Sequence, residues 1–236
     1  MEHSEQVLNV RNQIQALSKS KDIMHYQKRY LLSFSKFIDN PFTNNKAFTD
    51  LYFCNSRLKP LQRRQRITLV KVVTTLMSKM EAEHYQIGHC EEEDMKTTPH
   101  YWFINQYEKL WKESITKSKW FRCIKQLKLA EFLEVEAVFV YNPELTPEEA
   151  GSIQSVAAYK SFTRKFIEAF KLEEVKDVIE SKLRCIQDRI KKKLSNIWFA
   201  YIPFSDSYIT TKVNKVIKHK QSQLGSQPSL ENMLFH

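Results

Sequence analysis

Apolar residues recur at helical spacing along most of this chain and change to strand-like spacing in only one region. Over residues 6–17 and 24–38 they return every three to four positions, which predicts two helices. Asn40-Pro41 should end the second, because a residue before proline is pushed out of the α region. Pro60 suits a first helical turn. After it, Ile67, Val70, Val73, Met77 and Met80 mark one apolar stripe on a helix predicted over 61–81. Residues 85–88 read as a short extended piece and 91–94 as an acidic surface loop. Two more helices are predicted over 102–111 and 117–130. The period then changes: residues 133–141 (LEVEAVFVY) and 153–159 are rich in β-branched and aromatic side chains. The stretch 142–151 between them is full of turn residues, so the pair predicts a hairpin. Thr163 can cap a helix over 164–170, and 173–194 is a long amphipathic helix with a basic end. Residues 221–236 are polar and read as a loose tail.

Composition agrees with this outline. The 236 residues contain only three glycines, Gly88, Gly151 and Gly225, too few for the turns of a sandwich or a doubly wound sheet. The expected fold class is mainly α with a small β component, a winged helix-turn-helix core flanked by long helices. The expected division is an N-terminal helical region over 1–57, a winged-helix domain with flanking helices over 58–200, and a C-terminal helix with a loose tail over 201–236. No apolar run approaches the length needed to span a bilayer, and the polar N-terminus lacks the apolar core of a secretory signal. Cys54, Cys90, Cys123 and Cys185 are scattered with no Cys-x-x-Cys pair, as expected of reduced thiols in the cytoplasm.

Charge adds a partner class. With 37 Lys and Arg against 27 Asp and Glu, the chain carries a formal +10 and a pI near 9.3. Such a field favours polyanions, and its distribution points further. Residues 109–128 hold seven basic side chains and one acid, Glu113. The order helix, turn, helix, hairpin is that of a winged helix, in which the second helix enters the major groove and the hairpin grips the backbone. Here Glu113-Ser-Ile-Thr116 would be the turn, with Thr116 as N-cap and Ile115 plugged into the core. Trp120, Ile124 and Leu127 would face inward. Lys117, Ser118, Phe121, Arg122 and Lys125 share the opposite face, and Lys119 adds charge beside them. Arginine and lysine can meet guanine edges or phosphates. Residues 57–71, with six basic residues including Arg63, Arg64 and Arg66, and 182–193, with six against one acid, are further candidates for phosphate contact. Lys160, directly after the second strand, completes the candidate DNA-binding set.

The run LWKESITKSKWFRCIKQLKLAEFLEVEAVFVY resembles the winged-helix core of RepA-like replication initiators of bacterial plasmids. Leu110, Thr116, Arg122 and Leu127 take the places of that family's recurring leucine, small polar turn, arginine and leucine. AAYKSFTRKFIEAFKL and the basic helix after it are similar to the family's continuation. Arg63-Arg64 through Gly88 resembles the paired-arginine helix that precedes its motif. The likeness covers roughly residues 58–194. Two positions depart from the pattern: Glu131 stands where many such turns place glycine, and Trp120 is bulkier than the usual core residue. The resemblance implies binding to double-stranded DNA of a plasmid origin and recruitment of host replication proteins, an initiator and a helicase among them. It leaves homodimerisation open.

Motifs for chemistry are missing. There is no Gly-x-x-x-x-Gly-Lys loop, His-x-His pair, Gly-x-Ser-x-Gly or His-Glu-x-x-His in the sequence, so no catalytic residue is expected. Residues 81–94 gather six carboxylates with His84, His89 and Cys90, but adjacent donors converge poorly on one ion, so neither metal nor cofactor is expected. That acidic stretch would instead keep DNA off one face or meet a basic partner. Two other functions stay open: a winged-helix transcriptional regulator, and a basic helical interaction or effector protein touching anionic membrane.

Overall fold

The computed structural model describes residues 2–19, 22–39, 48–53, 60–141, 153–198, 201–204 and 207–210. Cys54, Arg57, Lys59, the turn over 142–151 and the tail over 221–236 lie outside them. The chain is mainly helical with a small β component. Its helices are α1 (Glu2–Lys19), α2 (His25–Ser35) with a 3-10 turn at Lys36–Ile38, α3 (Thr49–Tyr52), α4 (Arg63–Met77), α5 (His100–Trp111), α6 (Lys117–Leu129), α7 (Arg164–Glu168) and α8 (Lys176–Lys191). The strands are β1 (Gly88–Cys90), β2 (Met95–Thr97), β3 (Leu133–Tyr141), β4 (Ile153–Phe162), β5 (Tyr201–Phe204) and β6 (Ser207–Thr210). Among the described residues no helix is long and apolar enough to cross a membrane.

Two compact units make up the chain: Met1–Glu136 with Ala157–Asn196, and Ala137–Val156 with Ile197–His236. The first has a single hydrophobic core that joins α1 and α2 to α4, α5 and α6, so the N-terminal helices share one interior with the later ones. At its centre is α4, where Leu69, Val70, Val72, Val73, Thr74, Thr75, Leu76 and Met77 are all buried. One stripe was expected, yet the helix is enclosed on most sides, because α1, α2 and α5 all pack on it. Thr74 and Thr75 satisfy their buried hydroxyls by donating to the carbonyls of Val70 and Lys71 one turn back. The helix opens later than Pro60 suggested: Gln62 caps it, its N–H donating to the Gln65 side chain at 2.9 Å. A second focus is aromatic. Phe34, Phe37, Phe48, Phe132, Phe166 and Phe170 meet ring to ring, mostly edge to face, and tie α2 to the base of β3 and to α7.

Extended backbone over 86–88, entered through Tyr85 at φ 59°, pairs with the base of β4: the Ile87 N–H donates to the Lys160 carbonyl and the Phe162 N–H to the Tyr85 carbonyl. β1 and β2 form a two-stranded antiparallel sheet whose turn is the acidic stretch over 91–94. Within that stretch Glu91 is paired with Lys96, and before β1 Glu83 is met by Arg189 at 2.5 Å and Asn196 at 2.9 Å. A four-stranded sheet runs in the order β4-β3-β6-β5. In the second unit β6 lies parallel to β3 at Val140↔Tyr208 and antiparallel to β5. A C-terminal helix is expected within 201–236; residues 201–204 and 207–210 are instead the strands β5 and β6, and 211–236 lie outside the described residues. Tyr-Ile-Pro-Phe and Ser-Tyr-Ile-Thr are β-prone tetrapeptides, and Pro203 is tolerated because β5 is an edge strand.

Three glycines are not enough to close the helices, and other residues take the left-handed conformation in their place. Lys112, Glu131, Lys171 and Lys193 have φ of 54, 58, 52 and 54° just after α5, α6, α7 and α8. At Glu131 the closure is a full Schellman motif: the Glu131 N–H donates to the Lys128 carbonyl, and the Phe132 N–H to the Leu127 carbonyl. The backbone there is the one a glycine would favour, although the residue is a glutamate.

Candidate nucleic-acid interface

Helix α5, the turn after it and α6 succeed one another as the hydrophobic pattern predicts. Thr116 caps α6, its Oγ1 accepting the Lys119 N–H at 3.3 Å. Ile115, Trp120, Ile124 and Leu127 are buried, and Cys123 and Gln126 lie on the same inner face. Trp120 is completely enclosed. Its ring stacks on Phe103 of α5 with centroids 6.2 Å apart, and its indole N–H donates to His100 Nδ1 at 3.1 Å. The bulky residue is therefore used as the hinge pin between the two helices.

The outer face of α6 presents Lys117, Ser118, Lys119, Phe121, Arg122 and Lys125, all exposed. None of these four cations makes an ion pair with a described residue. The acid at the start of the turn, Glu113, is ion-paired from another helix and feels Lys119 as a nearby charge. Lys71 of α4 meets Glu113 at 2.7 Å, and the Tyr107 hydroxyl donates to it at 2.5 Å. Burial alone would raise this carboxyl, but the bonds from Lys71 and Tyr107 outweigh burial and hold it below its ordinary value.

Two braces hold α6 and the turn before it to their neighbours, and a third ties β4 to the approach to α5. The first is the Lys71–Glu113–Tyr107 cluster, with the Lys71 ammonium also 5.4 Å from the centre of the Trp111 ring. The second is His100–Trp120. Burial, helped by the positive charge of Lys160, pulls His100 down to about 4, so it is neutral at pH 7, with Nδ1 accepting and Nε2 carrying the proton. The third is Lys160 itself. Only 1% exposed, its ammonium donates to the carbonyls of Thr98 at 2.8 Å and Ala158 at 2.9 Å. Burial lowers it to about 8.

That geometry corrects two of the candidate phosphate contacts. Lys160 cannot reach a phosphate, because its ammonium is enclosed and spans from β4 to the carbonyl two residues before α5. Arg66 is 9% exposed, and its guanidinium donates to the carbonyls of Ile38 at 2.9 Å and Leu61 at 2.6 Å while lying over the Tyr52 ring. It closes the end of α2 onto the start of α4. Arg63 is half-buried and donates to Asp39 at 2.8 Å. Arg64 alone of the three is exposed. In the α8 cluster, Lys182 donates to the Tyr85 hydroxyl at 2.7 Å and Arg189 is taken by Glu83, whereas Lys191, Lys192 and Lys193 are exposed.

The braces themselves were not foreseen. His100 gave one signal, its place after Pro99 at the start of an aromatic helix. The Thr98 and Ile38 carbonyls gave none, since backbone acceptors carry no sequence mark. A cleft of about 540 Å³ lies elsewhere in the first unit, beside Lys79, Glu81, Cys90, Trp102, Cys185 and Arg189. Burial raises both of its thiols above the ordinary value, which makes them poor nucleophiles. No family model, no curated protein and no solved structure matches this chain.

Proposed function

We propose that this protein binds double-stranded DNA sequence-specifically through the outer face of α6 and acts as a plasmid replication initiator without a catalytic centre of its own. One observation carries the DNA reading: Lys117, Lys119, Arg122 and Lys125 on a capped, braced helix are exposed and make no ion pair among the described residues, while the neighbouring acid Glu113 is paired with Lys71 of α4. Thirteen residues of α6 span about 20 Å at the helical rise, enough to lie along a major groove about 12 Å wide. The helix–turn–helix–strand–strand order supports the same docking. The initiator role rests on the likeness to RepA-like proteins, which implies an origin as the DNA and host replication proteins as partners.

Short direct repeats in the DNA flanking the gene are the natural probe. Fluorescence anisotropy should show tighter binding to a duplex carrying them than to random duplex, with Arg122→Ala removing about 1–3 kcal/mol of that preference. Equal affinity for every sequence would overturn specific reading. A plasmid carrying the repeats should be maintained in a host supplied with the protein. Occupancy of the repeats without maintenance would make the protein a regulator rather than an initiator.

A further inference from the structure

Phe121 is an apolar side chain exposed in the middle of the polar outer face of α6, whose other exposed apolar residue, Leu129, ends the helix. Phe121 is 48% exposed and stands one turn from Lys117 on one side and Lys125 on the other, with Ser118 and Arg122 in the adjacent row. Its ring is not loose. The His100 imidazole meets it edge to face at 5.0 Å, and that imidazole is fixed in turn by the Trp120 indole N–H. A phenyl ring can neither pair with a phosphate nor hydrogen-bond a base edge. The major groove offers it one apolar feature, the C5-methyl group of thymine.

Resting on the DNA reading of α6, we propose that Phe121, positioned by His100, is a specificity-determining residue that packs on a thymine methyl in the major groove. The neighbouring cations supply affinity and the ring supplies a choice of base. His100 touches no DNA in this scheme and acts by holding the ring.

Replacing thymine by uracil removes the methyl and leaves base pairing intact. A duplex selected by the wild-type protein from a random-sequence pool would be resynthesised with deoxyuridine at each thymine in turn. At one or two positions the wild-type protein should bind the uracil duplex about fourfold more weakly, the factor that corresponds to one buried methyl group. Phe121→Ala should bind the thymine and uracil duplexes equally while keeping the wild-type salt dependence, and Phe121→Leu should keep part of the discrimination. His100→Gln should reduce it without changing the salt dependence. Salt-dependent binding with no position that senses the methyl, or Phe121→Ala discriminating as well as the wild type, would overturn this inference alone. No salt-dependent duplex binding at all would overturn it together with the DNA reading.

Discussion

The basic stretches on α4 and α6 look alike as strings, Arg63-Arg64-Gln-Arg66 against Lys117-Ser-Lys119 and Arg122, yet the fold uses them in opposite ways. On α4, Arg66 is buried on two carbonyls, Arg63 is held by Asp39, and Lys71 is spent on Glu113. On α6, Lys117, Lys119, Arg122 and Lys125 stand exposed without an ion-pair partner among the described residues. The difference lies in what surrounds each helix. α4 is enclosed by other helices, so a long cation there finds carbonyls and carboxylates. α6 packs by one face only, so its other face has only solvent or a ligand to meet. Charge density along a sequence thus counts cations without saying which are already committed.

The largest effect that sharpens this contrast is on stability. Arg66→Ala should cost about 2–4 kcal/mol, because it strands two buried carbonyls and removes packing on Tyr52. Lys125→Ala should change stability by less than about 0.5 kcal/mol, as exposed positions do. Urea unfolding measures both, and the folded Arg66→Ala protein should bind DNA as the wild type does. Equal stability losses at the two positions would erase the distinction between committed and available cations.

A smaller effect concerns pH. Folded His100 titrates near 4 and an unfolded histidine near 6.5, so between these values the unfolded chain binds the extra proton. The stability from this neutral histidine is therefore complete above pH 6.5 and is lost as pH falls towards 4. Allowing for partial solvent access, the loss is about 2 kcal/mol. Melting curves from pH 7 to 4.5 should show this fall, and His100→Gln should flatten that part of it. An unaltered pH profile in the variant would place the loss elsewhere.

The smallest effect is at a helix end. Lys112, at φ 54°, should gain about 0.5–1 kcal/mol on replacement by glycine, which takes that conformation without steric cost. A destabilised Lys112→Gly protein would mean that the lysine side chain contributes more than its backbone costs.

Much of the candidate site was legible in the sequence because its signals are local. Thr116 three residues before Lys119, Trp120-Ile124-Leu127 at helical spacing, and the change of period at residue 133 each report on a few neighbours. At Glu131, where the resemblance expects glycine, the backbone takes the left-handed conformation although the residue departs from that pattern. Arg66 and Lys160 were misread because their fates depend on distant acceptors: Ile38 lies 28 residues before Arg66, and Thr98 lies 62 before Lys160. The enclosure of α4 was missed for the same reason, since its own stripe does not report how many helices will pack on it. β5 and β6 escaped because four-residue strands give too few alternations to separate from a helical tail.

The measurement that bears most directly on α6 as the DNA-contacting face is a salt series of duplex binding. Neutralising Lys117, Lys119, Arg122 and Lys125 together should lower the slope of log K against log salt by about 0.9 for each phosphate no longer engaged, up to about 3.6 in all. Arg63→Ala with Arg64→Ala should lower it by about 0.9 at most, since Arg63 is already held by Asp39. A correctly folded α6 variant with the wild-type slope, or a larger drop from the α4 pair, would contradict the account.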